Sequence, residues 1–150
     1  MISYFHSCPT LLASGSVIEP GNFGRIIKLQ GETHPLYRRE MAYECLRLRF
    51  FPNCPSHLDC LFCFPTQQEA ELCRKNIQGY ADSVLYKGEN AEVAPHVADM
   101  NNAVQNFALS AFDDNIIAYY WRGWQRSPDP QAVILREVLL RSSVIVRRTI

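Results

Sequence analysis

The order of strand-like and helix-like segments constrains the fold of this chain more than any other feature of its sequence. Apolar, β-branched and aromatic runs predict strands at 2–6, 58–64, 83–87, 92–98, 132–140 and 143–149. Helical spacing and capping signals predict helices at 35–49 and 66–77, and a longer one from 101 or 102 toward 120. Because this order does not repeat a βαβ unit, we expect one α+β domain over residues 1–150.

Two of the predicted helices rest on specific local signals. Thr66 and Glu69 have the spacing of a capping box, in which each side chain satisfies a backbone N–H of the first helical turn. In the helix before it, the residues at helical spacing that we expect to face the core are Tyr37, Met41, Cys45 and Leu48.

Glycine and other turn residues mark the irregular parts of the chain. Residues 7–31 contain Ser14-Gly15-Ser16 and Pro20-Gly21-Asn22, which predict turns, and Gly88-Glu89-Asn90 predicts a turn between two strands. These glycines lack the spacing of a dinucleotide GxGxxG fingerprint or a phosphate loop. A Rossmann-type cofactor site is therefore not expected.

Charge is balanced over the whole chain but not along it. The 150 residues contain 15 basic and 15 acidic residues, which argues against a general polyanion or membrane-surface binder. Residues 121–150 nevertheless carry six arginines and two acidic residues, a net charge of +4 that the remainder balances with −4. The N-terminal segment has neither the basic region nor the apolar stretch of a secretory signal, so we expect a cytoplasmic protein without a membrane segment.

The six cysteines include the pair Cys60 and Cys63, with Cys54 and Cys73 nearby. The pair lies within an apolar run that predicts a strand, where residues three apart point to opposite faces. Zinc ligation and a redox pair are therefore disfavoured, and no metal site is expected. We interpret these cysteines as small buried hydrophobic residues.

Three side chains are candidates for chemistry from their local setting. Glu137 lies in an otherwise apolar strand, where it is either paired with a neighbouring arginine or directed into a cleft. His6 ends the first predicted strand, and Ser56 precedes a buried one, although both are also common as structural residues. The remaining histidines, His34, His57 and His96, show no ligand spacing and are interpreted as solvated.

Aromatic residues 119–121 and 124 lie among arginines, a combination that can stack on nucleobases. Adjacent positions of a helix point in different directions, so we interpret this group as core together with a helix end.

Several segments in order resemble a family of small bacterial domains of the ADP-ribosyltransferase-like superfamily: YFHS, PGNFGRII, YRREMAYECLRLRFFP, PSHLDCLFCF and EVLL. The resemblance covers nearly the whole chain. It implies a split, mixed β-sheet with flanking helices that binds NAD in a cleft between two small sheets.

The resemblance also implies roles for individual residues. His6 matches the first-strand position that binds the adenosine ribose, Ser56 the second-strand position that orders the site, and Glu137 the catalytic glutamate. Tyr43 or Tyr37 would stack on nicotinamide, and the resemblance together with charge makes Arg25 a candidate for the pyrophosphate.

The activity implied is mono-ADP-ribosyl transfer from NAD to a protein or nucleic acid acceptor. NAD is then consumed as a substrate. Leu135 stands two positions before Glu137, where arginine-modifying members have an acidic or amide residue, so arginine is not the expected acceptor. NAD glycohydrolysis and an inert nucleic-acid-binding module are the alternatives. Family habit further implies a toxin, delivered into another cell in some cases, with an antitoxin or immunity protein as its neutralising partner.

Overall fold

The computed structural model describes residues 1–76, 82–102 and 113–150. Within these ranges the strands are β1 (Ile2–Cys8), β2 (Val17–Ile18), β3 (Leu61–Cys63), β4 (Val84–Asn90), β5 (His96–Asp99), β6 (Arg136–Leu140) and β7 (Val144–Thr149). The α-helices are α1 (Asn22–Gln30), α2 (Tyr37–Phe50), α3 (Gln67–Asn76) and α4 (Asp114–Trp121). The predicted α+β class is confirmed, and none of the described helices is long and apolar enough to cross a membrane.

The strands form two sheets, one of four strands in the order β1-β4-β7-β2 and one of three in the order β3-β6-β5. Every strand pairing in the described residues is antiparallel, so the expectation of a mixed sheet is wrong on this point. Short antiparallel neighbours need no helical crossover, which is why helices and strands need not alternate in the sequence. A bridge between Phe5 and Phe64 joins the two sheets at the end of β3.

The three-stranded sheet lies between the other sheet and helices α2 and α4. Alternate residues of β6 point to opposite faces. Val138 and Leu140 pack against Tyr4 of β1 and Val144 of β7, between the sheets. Leu139 instead packs among residues of α2 and α4. Glu137 points to the same face of β6 as Leu139, so its carboxyl group is directed toward α2 and α4.

The helix start predicted at Thr66 is confirmed, with the Thr66 side chain as the cap of α3. The backbone N–H of Glu69 donates to Thr66 Oγ1 at 3.2 Å, and the Thr66 hydroxyl donates to Glu69 Oε2 at 2.5 Å. Arg136 of β6 donates to both oxygens of the same carboxylate, at 2.7 and 2.9 Å. Thr66 therefore caps α3, and Glu69 attaches this helix to the three-stranded sheet.

Helix α1 was not predicted, because its glycines resemble turn signals. Gly21 adopts a positive φ of 88° and ends the preceding turn. Gly24 is required for packing, since a Cβ at this position would come within 1.8 Å of the Leu58 carbonyl oxygen. Ile27 is fully buried on the same helix. The glycines thus allow a helix to lie directly on the backbone that leads into β3.

The turn predicted at residues 88–90 is also wrong, since β4 continues to Asn90. Gly88 lies inside the strand at a register shift opposite β7. A Cβ there would come within 2.2 Å of the Val144 side chain. The glycine is explained by the close approach of two strands.

The buried face of α2 differs from the predicted stripe of Tyr37, Met41, Cys45 and Leu48. The buried residues of this helix are Glu40, Tyr43, Leu46 and Arg47. Two of them are charged and are compensated by specific partners: Glu40 by Arg39 and His57, Arg47 by Glu44. Hydropathy alone assigns such residues to solvent, and the prediction failed for this reason.

The helix that was predicted from residue 101 or 102 lies partly outside the described residues. A short 3-10 helix occupies Met100–Asn102. Helix α4 has its own start at Asp114, because the backbone of Asp113 is extended and its side chain accepts from the backbone N–H of Asn115 at 2.7 Å.

Candidate active site

A cavity of about 690 Å³ lies where the two sheets meet. Its lining comes from β1 and β2 of one sheet, from β3 and β6 of the other, and from α1, α2 and α4. This volume lies in the range of about 300 to 1,000 Å³ that small-molecule sites usually have. Most of the lining is apolar, with a few polar and ionisable side chains directed into it, which is the usual composition of a ligand site.

His6 lines this cavity from the four-stranded sheet. Its Nδ1 lies 2.8 Å from the carbonyl oxygen of Phe62. A carbonyl oxygen only accepts hydrogen bonds, so the ring proton is assigned to Nδ1 and Nε2 carries the lone pair. Burial lowers the pKa of His6, which favours the neutral ring. His6 is therefore held in one orientation as a neutral hydrogen-bond acceptor.

Glu137 lines the cavity from β6, at the centre of the three-stranded sheet. Its side chain is buried, and Oε2 accepts a hydrogen bond of 2.5 Å from the Tyr120 hydroxyl. Burial raises the pKa of Glu137, and the nearby His57, Tyr120 and Arg39 only partly oppose that rise. The sequence is compatible with Glu137 either pairing with a neighbouring arginine or facing a cleft, and the structure supports the cleft.

A line of buried hydrogen bonds extends from Glu137 into α2. His57 Nε2 lies 2.9 Å from the Tyr120 hydroxyl, and His57 Nδ1 lies 2.8 Å from Glu40 Oε2. Arg39 donates to Glu40 Oε1 through Nε at 2.9 Å and through Nη2 at 2.7 Å. Five side chains from four parts of the fold are thus connected without a break.

The interpretation of His57 as solvated was wrong. Its exposed fraction is 5%, and its ring stacks on Tyr43 with a centroid distance of 5.1 Å. No local motif marks His57, because its partners come from residues 40 and 120. A signal was nonetheless present, since His57 lies between Pro55 and the apolar run that leads into β3. His34 and His96 are likewise only partly exposed.

The two tyrosines proposed to stack on nicotinamide occupy different environments. Tyr43 lines the cavity but is only 2% exposed, and one ring face is covered by His57. Tyr37 is half-buried at the start of α2, and the described cavity lining does not include it. Phe23 of α1 and Phe62 of β3 line the same cavity, are partly exposed and contact each other edge to face. Within the cavity they offer more accessible aromatic surface than Tyr43.

Ser56 and Arg25 are not brought to the cavity. The Ser56 hydroxyl donates to Glu44 Oε2 at 2.8 Å and accepts from the backbone N–H of Leu58 at 3.1 Å, which ties the middle of α2 to the segment before β3. Arg25 is exposed and donates to Asn22 at 3.0 Å on its own helix. The described lining includes Asn22 but neither of these two residues.

The arginines of residues 121–150 do not line the cavity either, although Glu137 lies among them in the sequence. Arg136 binds Glu69, and Arg147 binds Glu89 at 2.8 Å. Among the described lining residues, the arginine is Arg39 of α2. The arginine that lines the cavity with Glu137 therefore comes from α2 and not from the strand of Glu137 itself.

The cysteines of the apolar run are buried, as predicted. Cys60 is 2% exposed and Cys63 is fully buried. Burial raises the pKa of both thiols. In the part of the chain that the structure describes, no three His, Cys, Asp or Glu side chains are grouped as metal ligands.

A family model matches residues 4–150, and its description is "Protein of unknown function (DUF2441)". Because the match covers almost the entire chain, the protein belongs to this family. A search of curated proteins finds no match to the chain.

Proposed function

We propose that this member of the DUF2441 family is a mono-ADP-ribosyltransferase, which cleaves NAD between ribose and nicotinamide and transfers ADP-ribose to a macromolecular acceptor. One observation carries the proposal: His6 and Glu137, which come from different sheets, face one cavity of ligand size. The resemblance pairs these same two positions across an NAD site.

The chemistry needs a carboxylate at this point. Cleavage of the ribose–nicotinamide bond passes through an oxocarbenium-like state, and a negative charge next to the ribose stabilises it. The leaving nicotinamide is a cationic pyridinium that departs with the bonding electron pair as a neutral ring, so no second acid is required. A single glutamate, Glu137, is therefore sufficient.

The other lining residues suit a dinucleotide. Phe23 and Phe62 provide partly exposed rings for stacking of nicotinamide or adenine. Arg39 is the candidate cation for the pyrophosphate, in place of Arg25. His6 Nε2 is suited to accept a hydrogen bond from a ribose hydroxyl.

Release of nicotinamide tests the proposal directly. The wild-type protein is incubated with NAD labelled in its adenylate part, together with bacterial protein, RNA or DNA, and both nicotinamide and labelled macromolecules are measured. A charge pair about 4 Å apart at an effective dielectric constant of about 20 is worth about 4 kcal/mol. Glu137→Gln should therefore slow release about a thousandfold. Glu32→Gln, an exposed change outside the cavity lining, is the matched control and should retain the wild-type rate.

The products separate the alternatives. Free ADP-ribose as the sole product identifies an NAD glycohydrolase. If nicotinamide release equals that of buffer with every acceptor, the proposal fails. Salt-sensitive binding of nucleic acid without NAD consumption then supports the inert module.

A further inference from the structure

Tyr120 and His57 connect Glu137 to Glu40 through a chain of hydrogen bonds, and this chain restricts where protons can lie. The hydrogen bonds form three successive contacts: Glu137 to Tyr120 at 2.5 Å, Tyr120 to His57 at 2.9 Å, and His57 to Glu40 at 2.8 Å. All four residues are buried. Each contact must contain one proton, because two lone pairs facing each other in a buried site repel.

We propose that Tyr120 and His57 form a proton relay that keeps the proton of Glu137 on His57, so that Glu137 faces the cavity as a carboxylate. This inference rests on the proposed role of Glu137 in NAD cleavage and assigns a function to two further residues. Tyr120 and His57 act through Glu137 and are therefore positioning residues.

With Glu40 ionised, since His57 and Arg39 lower its pKa despite burial, and with Tyr120 a phenol, counting protons leaves two arrangements. In the first, Tyr120 donates to Glu137, and His57 donates through both ring nitrogens, so that His57 is an imidazolium and Glu137 is ionised. In the second, Glu137 carries a proton and donates to Tyr120, while Tyr120 donates to a neutral His57. The two differ only by a shift of two protons: one between Glu137 Oε2 and Tyr120 Oη, the other between Tyr120 Oη and His57 Nε2. The number of protons and the total charge are the same in both.

Tyr120 is suited to pass a proton without losing one. Burial and the adjacent Glu137 raise the pKa of Tyr120 well above its usual value, so it remains a phenol. A phenol has one hydrogen to donate and lone pairs to accept with. Its hydroxyl can thus donate toward Glu137 while it accepts from His57, or the reverse.

The first arrangement is favoured by the charges at the far end of the relay. Glu40 has no exposed surface and is bound by Arg39 and by His57. Although burial raises the pKa of Glu40, His57 and Arg39 lower it below its usual value, so Glu40 provides a negative charge beside the imidazolium. An imidazolium with no such neighbour would be costly to bury.

The groups that act electrostatically on Glu137 come from several elements. His57, Tyr120 and Arg39 favour its ionised form, whereas burial and Glu40 oppose it. Three neighbouring thiols interact electrostatically with it: Cys60, Cys63 and Cys73. Burial raises the pKa of all three, so they are neutral near pH 7 and add no negative charge beside Glu137.

Removing the relay should therefore leave Glu137 protonated in a buried site. Tyr120→Phe deletes one oxygen and interrupts the chain, and His57→Gln removes the group that holds the proton. Infrared difference spectra of protein with carboxyl-labelled glutamate at pH 7 detect the carbonyl band of a protonated carboxyl group. The band is assigned to Glu137 by its loss when Glu137→Gln is added. We expect no such band in the wild type and a clear one in both variants.

Tyr86→Phe is the matched control, because Tyr86 is also buried and bonded through its hydroxyl, to Leu12 N and Thr10 O at 2.8 and 2.9 Å. It lies outside the relay and should give the wild-type spectrum. Circular dichroism establishes that each variant is folded. If His57→Gln does not fold, Tyr120→Phe and nitrogen NMR of the wild-type protein decide. The relay requires protons on both Nδ1 and Nε2 of His57 at neutral pH.

The outcome is independent of whether NAD is the substrate. A Glu137 carbonyl band in the wild type, its absence from Tyr120→Phe, or a neutral His57 would each overturn the relay. If the proposed function also holds, the pH at half-maximal nicotinamide release should rise by about one unit in Tyr120→Phe, since one hydrogen bond to a charged group is worth about 1.5 kcal/mol. Absence of nicotinamide release by the wild type refutes the function and leaves the spectroscopic result standing.

Discussion

Replacing Gly24 with alanine tests how helix α1 is held beside the cavity. An added Cβ would lie 1.8 Å from the carbonyl oxygen of Leu58 and 2.3 Å from both its carbonyl carbon and its Cα. All three are backbone atoms, so no side-chain rotation relieves the overlap. Because nonbonded atoms pack best near 3.5 Å, α1 would have to move outward by roughly 1.7 Å.

The expected cost follows from two opposing effects. Overpacking of this kind costs about 1 to 3 kcal/mol, and contact with three backbone atoms indicates the upper end of that range. Alanine in place of glycine favours the helix by about 1 kcal/mol. Gly24→Ala should thus reduce the free energy of unfolding by about 2 kcal/mol, which for a domain of this size lowers Tm by about 4 to 8 °C.

Thermal unfolding followed by circular dichroism measures this change. Leu29→Ala on the same helix is the control, because Leu29 is 73% exposed and such substitutions usually alter stability by less than about 0.5 kcal/mol. A Gly24→Ala protein that melts at or above the wild-type Tm would refute the packing of α1 on Leu58. It would also remove the physical explanation for a glycine inside this helix.

Two further substitutions separate structural from catalytic roles. Burial tends to raise the pKa of Glu69, but hydrogen bonds from Arg136 and Thr66 hold this pKa below its usual value. The ionised Glu69 therefore stabilises the fold fully above about pH 4.3, the usual pKa of glutamate. This stabilisation is lost as the pH falls through the lowered pKa of the folded protein. Glu69→Gln should cost about 2 kcal/mol in urea unfolding at pH 7 and much less near pH 3, and an equal cost at both pH values would contradict this assignment. Ser56→Ala should lower stability by about 1 kcal/mol and leave nicotinamide release within about twofold of wild type. A loss of activity as large as that of Glu137→Gln would instead implicate Ser56 in the reaction.

Elements with a strong local signal were predictable. The capping box of Thr66 and Glu69 identified α3 because both partners lie within one helical turn of each other. Helix α1 and the second half of β4 were missed because Gly24 and Gly88 were interpreted through their own backbone freedom. In the structure both glycines are explained by a distant segment that approaches them, Leu58 in one case and Val144 in the other.

The candidate site was predictable only in part. Glu137 and His6 stand out in their own segments, the first as a charge in an apolar strand and the second at a strand end. His57 and Glu40 did not, because neither belongs to a local motif and their partners lie elsewhere in the sequence. Each of these two side chains can be buried because it bonds to the other, with 2.8 Å between His57 Nδ1 and Glu40 Oε2. Contacts between residues so far apart in sequence leave no periodic pattern.

The chain's own pattern of apolar, turn and capping residues was enough to determine the α+β class and the burial of Glu137, since both depend on local spacing. Folding decided which side chains meet. It placed Ser56, Arg25 and the C-terminal arginines away from the cavity and brought Arg39, His57 and Tyr120 to Glu137. The physical reason is that a buried charge is tolerated only where partners from other elements surround it, and those partners are set by the packing of α2 and α4 on the three-stranded sheet.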